Sequence, residues 1–91
     1  GYADAQFNLG LMYANGEGVE QDMSRAVELF KKAAEQGHVD AQNNLGAMYF
    51  TGDGVTRDEK KAIEWFEKAA AQGNEDAQAN LDAIRAAGKS R

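Results

Sequence analysis

The chain has 91 residues, 43% of them hydrophobic and 27% charged, with a formal net charge of −5 and no cysteine. The absence of cysteine excludes a disulfide framework, a thiolate metal site and a thiol nucleophile from this sequence. An acidic balance, with ten Lys and Arg dispersed among fifteen acids, argues against the clustered basic face of a nucleic-acid binder. Mean hydropathy is −0.64, and no apolar run approaches the roughly 18 residues that a bilayer crossing needs. The first residues lack the basic start and apolar core of a secretory signal, although the chain opens on Gly1 and not Met, so a signal or anchor could precede it.

In chain order, the first predicted element is a helix from about Ala3 to Asn15. Ala5, Leu9, Met12 and Tyr13 stand at i, i+4, i+7 and i+8, one helical face. Asp4 lies in the first turn, where a negative charge suits the helix dipole, and Asn15-Gly16 ends the helix. Gly16-Glu17-Gly18-Val19 reads as a turn. Asp22 is placed to N-cap a second helix, Met23 to Gln36, whose Ala26, Val27, Phe30, Ala33 and Ala34 share a face. Gly37 then fits the C′ position past its end.

The same text is then written again. Gly37-His38-Val39-Asp40-Ala41-Gln42 echoes Gly1-Tyr2-Ala3-Asp4-Ala5-Gln6 after 36 residues, and Gly73-Asn74-Glu75-Asp76-Ala77-Gln78 echoes both after 36 more. Residues 1–36 and 37–72 are identical at 20 of 36 positions without a gap. A fixed period of this length is the signature of a stacked repeat. The reading therefore extends to helices at Val39–Thr51 and Glu59–Gln72, with Asp58 as N-cap, and to a fifth helix from Glu75 to Ala87 ended by Gly88. With no proline and little β-branched clustering, strands have no support. The expected class is all-α: five helices in a solenoid of antiparallel pairs, one domain over 1–91, with units 1–36 and 37–72 and a half-unit 73–91. Gly10 and Gly46 sit mid-helix, where glycine costs about 0.5–1 kcal/mol relative to alanine. Recurrence of that cost implies close approach of the partner helix.

The pattern Asp4-Ala5-Gln6, Leu9-Gly10, Tyr13, Gly16-x-Gly18-Val19, Asp22, Ala26, Phe30, Ala33-Ala34, Gly37 resembles the Sel1-like repeat family, a relative of the tetratricopeptide repeats. Unit two repeats it from Asp40-Ala41-Gln42 to Gly73, with Trp65-Phe66 in place of Leu29-Phe30. The resemblance covers essentially the whole chain. It implies a right-handed superhelix whose first helices line a concave surface, and adaptor or scaffold function toward other proteins. One branch of that family is cysteine-rich, secreted and associated with β-lactam binding; this sequence, without cysteine, departs from it.

Packing forces units to be alike, so binding is sought where they differ. Positions 3, 7, 11 and 14 of each unit oppose the packing face. They read Ala3, Phe7, Leu11, Ala14, then Val39, Asn43, Ala47, Phe50, then Glu75, Ala79, Ala83, Ala86. Apolar side chains exposed on such a face mark an interaction surface. The candidate partner-binding residues are Phe7, Leu11, Asn43, Ala47, Phe50 and Ala79. Some tetratricopeptide proteins clamp a carboxylate with lysines on the inner helix face; none of these positions is Lys or Arg, so that clamp is not expected. Tyr13, Tyr49 and Trp65 read as packing residues.

No catalytic or metal-binding constellation emerges. His38 is the single histidine and reads as a surface residue at a helix start. The Gly-x-Gly turns follow no strand, and the turns lack the acidic ligand run of a calcium loop. The expected partner is a protein or peptide, with no cofactor, no metal, no nucleic acid and no membrane insertion. A structural spacer within a longer repeat protein is the alternative, and a β-lactam-hydrolysing enzyme the remote one. In the half-unit, Asp82 and Arg85 replace the glycine and tyrosine of the full units, as a polar C-terminal cap would. The first helix is expected to present Phe7, Leu11 or neighbouring apolar side chains uncovered. That predicts the C-terminal part of a longer array, or self-association through the N-terminal end.

Overall fold

Helix formation is settled locally, by caps. In the computed structural model, which describes residues 1–89, Asp22 and Asp58 accept from the backbone N–H of Arg25 and Lys61, each at 3.1 Å. The His38 Nδ1 and the Asn74 Oδ1 do the same for Ala41 and Ala77, at 3.1 and 2.8 Å. Each of these bonds satisfies an N–H that the helix cannot. The helices are α1 (Tyr2–Asn15), which starts at Gly1 without a side-chain cap, and, each started by one of these caps, α2 (Met23–Glu35), α3 (Val39–Thr51), α4 (Glu59–Ala71) and α5 (Glu75–Lys89). Among the described residues there is no strand. The result is an all-α helical repeat fold.

The stops are equally local. Gly37 has φ +88°, its N–H donates to Ala34 and the N–H of His38 to Ala33, the Schellman arrangement; Gly73 and Asn74 repeat it. Gln36 and Gln72 are consequently cap residues outside the helices, one residue short of the expected ends. At the end of α1 the Met12 carbonyl accepts from Gly16 and Glu17, the Tyr13 carbonyl from the N–H of Asp22, and the Ala14 carbonyl from the Gln21 side chain at 2.8 Å. One expected stop fails: α5 continues through Gly88 to Lys89. Gly88 does not take positive φ and its surroundings are open, so no returning chain turns it into a C′ residue.

Each helix packs on the next in the chain. Within a pair, the phenylalanine of the second helix presses on the glycine of the first. A Cβ on Gly10 would lie 2.8 Å from the Phe30 ring, and one on Gly46 2.8 Å from the Phe66 ring. This is the close approach that the repeated mid-helix glycine implied. A polar tie accompanies it: Gln36 Nε2 donates to Gln6 Oε1 at 2.6 Å, and Gln72 Nε2 to Gln42 Oε1 at 2.8 Å. Between pairs, Gln42 Nε2 donates to the Ala34 carbonyl at 3.1 Å, and the turn around Gly54 lies directly on the Met23 backbone.

The core runs along the stack: Ala26, Val27, Phe30, Ala33 and Ala34 of α2, Ala41, Leu45, Met48 and Tyr49 of α3, Ala62, Phe66 and Ala69 of α4, Ala77 and Leu81 of α5. The face of α1 that carries the same residue types is not part of it. Leu9 is 39% and Met12 37% exposed, and Ala5 is exposed. The large apolar side chains that α1 leaves uncovered are therefore Leu9 and Met12, with Tyr2 at its first turn. Phe7 and Leu11, expected there, are half-buried: Phe7 stacks on His38 at the start of the next pair, and Leu11 packs against the core.

Candidate functional site

The side of the stack that carries positions 7, 11 and 14 of each unit breaks into two regions. Near the first pair, the Phe7 ring lies 5.6 Å from Phe30 and stacks on His38 at 4.6 Å. His38 also holds Asp4 through Nε2 at 2.9 Å, so this residue joins α1 to the start of α3 and is half-buried. Its Nδ1 accepts a backbone hydrogen bond, which places the proton on the nitrogen facing Asp4. The Asp4 carboxyl is held below its ordinary value, chiefly by the hydrogen bond and charge of the N-terminal ammonium 3.0 Å away; desolvation opposes this, and His38 adds a lesser lowering. Phe7 is occupied with this junction, and Leu11 is half-buried against the core.

The second region is a cavity of about 350 Å³ between α3, the start of α4 and α5. Its lining is mainly apolar: Ala47 and Phe50 from α3, Phe66 beneath, and Ala83, Ile84 and Ala87 from α5. Polar groups stand at the edge, namely Thr51, Arg57, Glu59 and Asn80. A volume at the lower end of ligand clefts, roughly 300–1,000 Å³, with an apolar floor and few polar groups, suits one or two side chains of a partner. Of the six residues singled out from sequence, Ala47 and Phe50 line this cavity. Asn43 lies beside it and accepts from Asn80 Nδ2 at 3.2 Å. Ala79 is exposed on α5 outside it, Phe7 belongs to the first region, and Leu11, half-buried, does not line the cavity. The six do not form one floor.

Sequence reasoning did not single out Arg57, Asn80, Ile84 and Ala87. Arg57 meets the rule that units differ where they bind, since its counterpart is Gln21, but it lies in the turn after the first helix and not on the helix face where binding was expected. Ile84 carries no such signal, because only the packing of α5 on α4 aims it into the gap. Arg25 lies over Tyr13 at 5.4 Å and Lys61 over Tyr49 at 5.5 Å, one contact repeated in both units, while Lys68 covers half-buried Trp65 at 4.5 Å. Asp82 accepts from Gln78 at 3.0 Å and Arg85 reaches Glu67 on α4 at 3.5 Å, both exposed. No cluster of three metal-ligating side chains occurs among the described residues, and no helix there is long and apolar enough to cross a membrane.

Comparison with known proteins agrees with this architecture. A solved Sel1 repeat protein from Oxalobacter formigenes is 46% identical with a TM-score of 0.88, over 89% of this chain and 61% of that one. The antigen c5321 of uropathogenic Escherichia coli, described as displaying an SLR fold, is 49% identical with a TM-score of 0.83, over 85% of this chain and 16% of that one. Helicobacter pylori cysteine rich protein B is 35% identical with a TM-score of 0.84, over 87% and 59%. The present chain thus spans less than two thirds of each of these proteins, and it keeps the fold of the last without any cysteine. No curated protein matches it. The Sel1 repeat profile matches twice in succession, at residues 3–38 and 39–74. The chain belongs to the Sel1 repeat family, whose members generally serve as non-enzymatic protein-interaction scaffolds.

Proposed function

We propose that this chain is a non-catalytic interaction module that binds a segment of a partner protein on the side lined by the first helix of each unit, with residues 73–91 serving as a polar C-terminal cap. The observation that supports this reading is the apolar cavity between α3 and α5. It lies where the two units differ in sequence and is bordered by exposed Ala47 and Ala83. Fold maintenance does not require an open apolar hollow, whereas a partner side chain does. Phe7, Leu11, Asn43 and Ala79 extend the same side beyond the cavity and would contact the flanking residues of a longer segment.

The test uses random 12-residue peptides selected by display on the wild-type protein and measured by fluorescence anisotropy. Ala47→Glu, which fills the cavity with a charge from an exposed position, is expected to weaken the selected peptides at least about tenfold. Leu9→Glu on the far side of α1 is expected to leave them unchanged. Peptides indifferent to the first variant and lost with the second would place binding elsewhere and sink the reading.

A further inference from the structure

The cavity has one feature that distinguishes the second unit from the first. In both units the carbonyl of residue 14 or 50, near the end of the first helix, needs a donor that the helix cannot supply. In unit one Gln21 Nε2 donates to Ala14 at 2.8 Å; in unit two Arg57 Nε donates to Phe50 at 2.9 Å. The fold therefore asks only for a long side chain with one N–H at this position, and glutamine suffices. Arginine makes that bond with Nε and has its two Nη groups left over. Its guanidinium is further fixed 5.5 Å above the Phe50 ring, a contact that Ala14 cannot offer in unit one. Among the described residues neither Nη forms a hydrogen bond or lies within 4 Å of a carboxylate. Arg57 is thus an oriented, unpaired cation at the rim of an apolar hollow, on a chain whose net charge is −5.

We infer that this cavity recognises a peptide segment in which a bulky apolar side chain is adjacent to a single carboxylate. The apolar group enters between Phe50, Ala83 and Ile84, and the carboxylate takes the two free Nη groups of Arg57. A guanidinium held by its own Nε presents those groups as a ready fork, the geometry that favours a carboxylate over a neutral amide. Glu59, the one carboxylate bordering the cavity, lies beyond ion-pair distance of Arg57 and disfavours a second negative charge on the ligand. The inference rests on the interaction-module reading and narrows it to a ligand chemistry.

The test is titration of the isotope-labelled chain by two-dimensional NMR with N-acetyl-phenylalanine, and separately with N-acetyl-phenylalaninamide, which differs only in lacking the carboxylate. The acid is expected to shift the amides of Ala47, Phe50, Arg57, Ala83 and Ile84, with a dissociation constant on the order of a millimolar. The amide should bind about 1.5-fold to fivefold more weakly, the range for an exposed charge pair, and raising the salt should narrow the gap. Arg57→Gln keeps the bond to the Phe50 carbonyl, as Gln21 does in unit one, so the fold survives; it should bind both compounds equally. Equal binding of acid and amide to the wild type, with shifts at the cavity, would overturn the carboxylate preference and leave the interaction reading standing. Absence of cavity shifts with either compound would overturn both. Cavity shifts that appear on concentrating the protein alone would make a second copy of the chain the occupant and overturn the inference.

Discussion

Helices α1 and α3 carry nearly the same instruction and meet different fates. Leu9 and Leu45 occupy equivalent positions, as do Met12 and Met48. Leu45 is fully buried and Met48 only 7% exposed, whereas Leu9 and Met12 stand 39% and 37% exposed. What differs is a neighbour: α3 has α2 before it, and among the described residues no helix lies over the same face of α1. The packing of phenylalanine on glycine inside a pair, by contrast, is the same in both units, Gly10 under Phe30 and Gly46 under Phe66. Burial in this fold therefore separates into a part owned by each pair and a part owned by the junction between pairs, as expected of a quasi-one-dimensional stack.

That division can be broken by measurement. The largest expected difference is Leu45→Ala against Leu9→Ala. The first leaves a cavity at the junction and should cost about 3 kcal/mol in chemical unfolding; the second acts on a half-open side chain and should cost below about 1 kcal/mol. Equal losses would mean that the junction is not where Leu45 acts. Next comes the turn glycine. Gly18 and Gly54 both have positive φ, near +75° and +69°, so alanine is strained at either, by about 1 kcal/mol. Only Gly54 adds a collision, since its Cβ would lie 2.5 Å from the Met23 carbonyl oxygen. Gly54→Ala should consequently cost about 1–3 kcal/mol more than Gly18→Ala, read from urea midpoints.

A third comparison should show no difference. Alanine at Gly10 or Gly46 drives a methyl against a phenylalanine ring of the same pair, and helix propensity recovers up to about 1 kcal/mol. Both variants should lose about 1–2 kcal/mol, to a similar extent; a large gap between them would show that the pairs are not internally equivalent. The smallest effect concerns acid. Asp4 has a depressed folded pKa, so its contribution is present above its ordinary value of 3.8 and is lost as the pH falls through the lower folded value. The stability gap between wild type and Asp4→Asn should therefore shrink on acidification, and N-terminal acetylation should remove most of it, because the ammonium is the largest cause. A gap independent of pH between 5 and about 2.5 would contradict this assignment.

Much of the molecule was legible from sequence because its cues are short-range. Asp22 and Asp58 as caps and Gly37 as a helix stop each depend on residues within a few positions, and the period multiplied every reading by two. The candidate site was less legible. Ala47 and Phe50 were found because they vary between units on an expected open face. Phe7 satisfied the same rule but stacks on His38, a residue 31 positions away whose placement depends on how α3 docks.

The sequence by itself determined the five helices, their order, the buried faces of α2 and α4, and the close approach of a partner helix at Gly10 and Gly46. These follow from propensity, capping and a 3.6-residue period, all properties of a local segment. Tertiary structure alone decided which copy of a repeated face is covered, that Arg57 can satisfy the Phe50 carbonyl and still present a free fork, and that Ile84 and Ala87 close the far wall of the cavity. The physical reason is that an identical side chain is core or surface according to the helix stacked on it, and that stacking lies beyond the range of any local pattern.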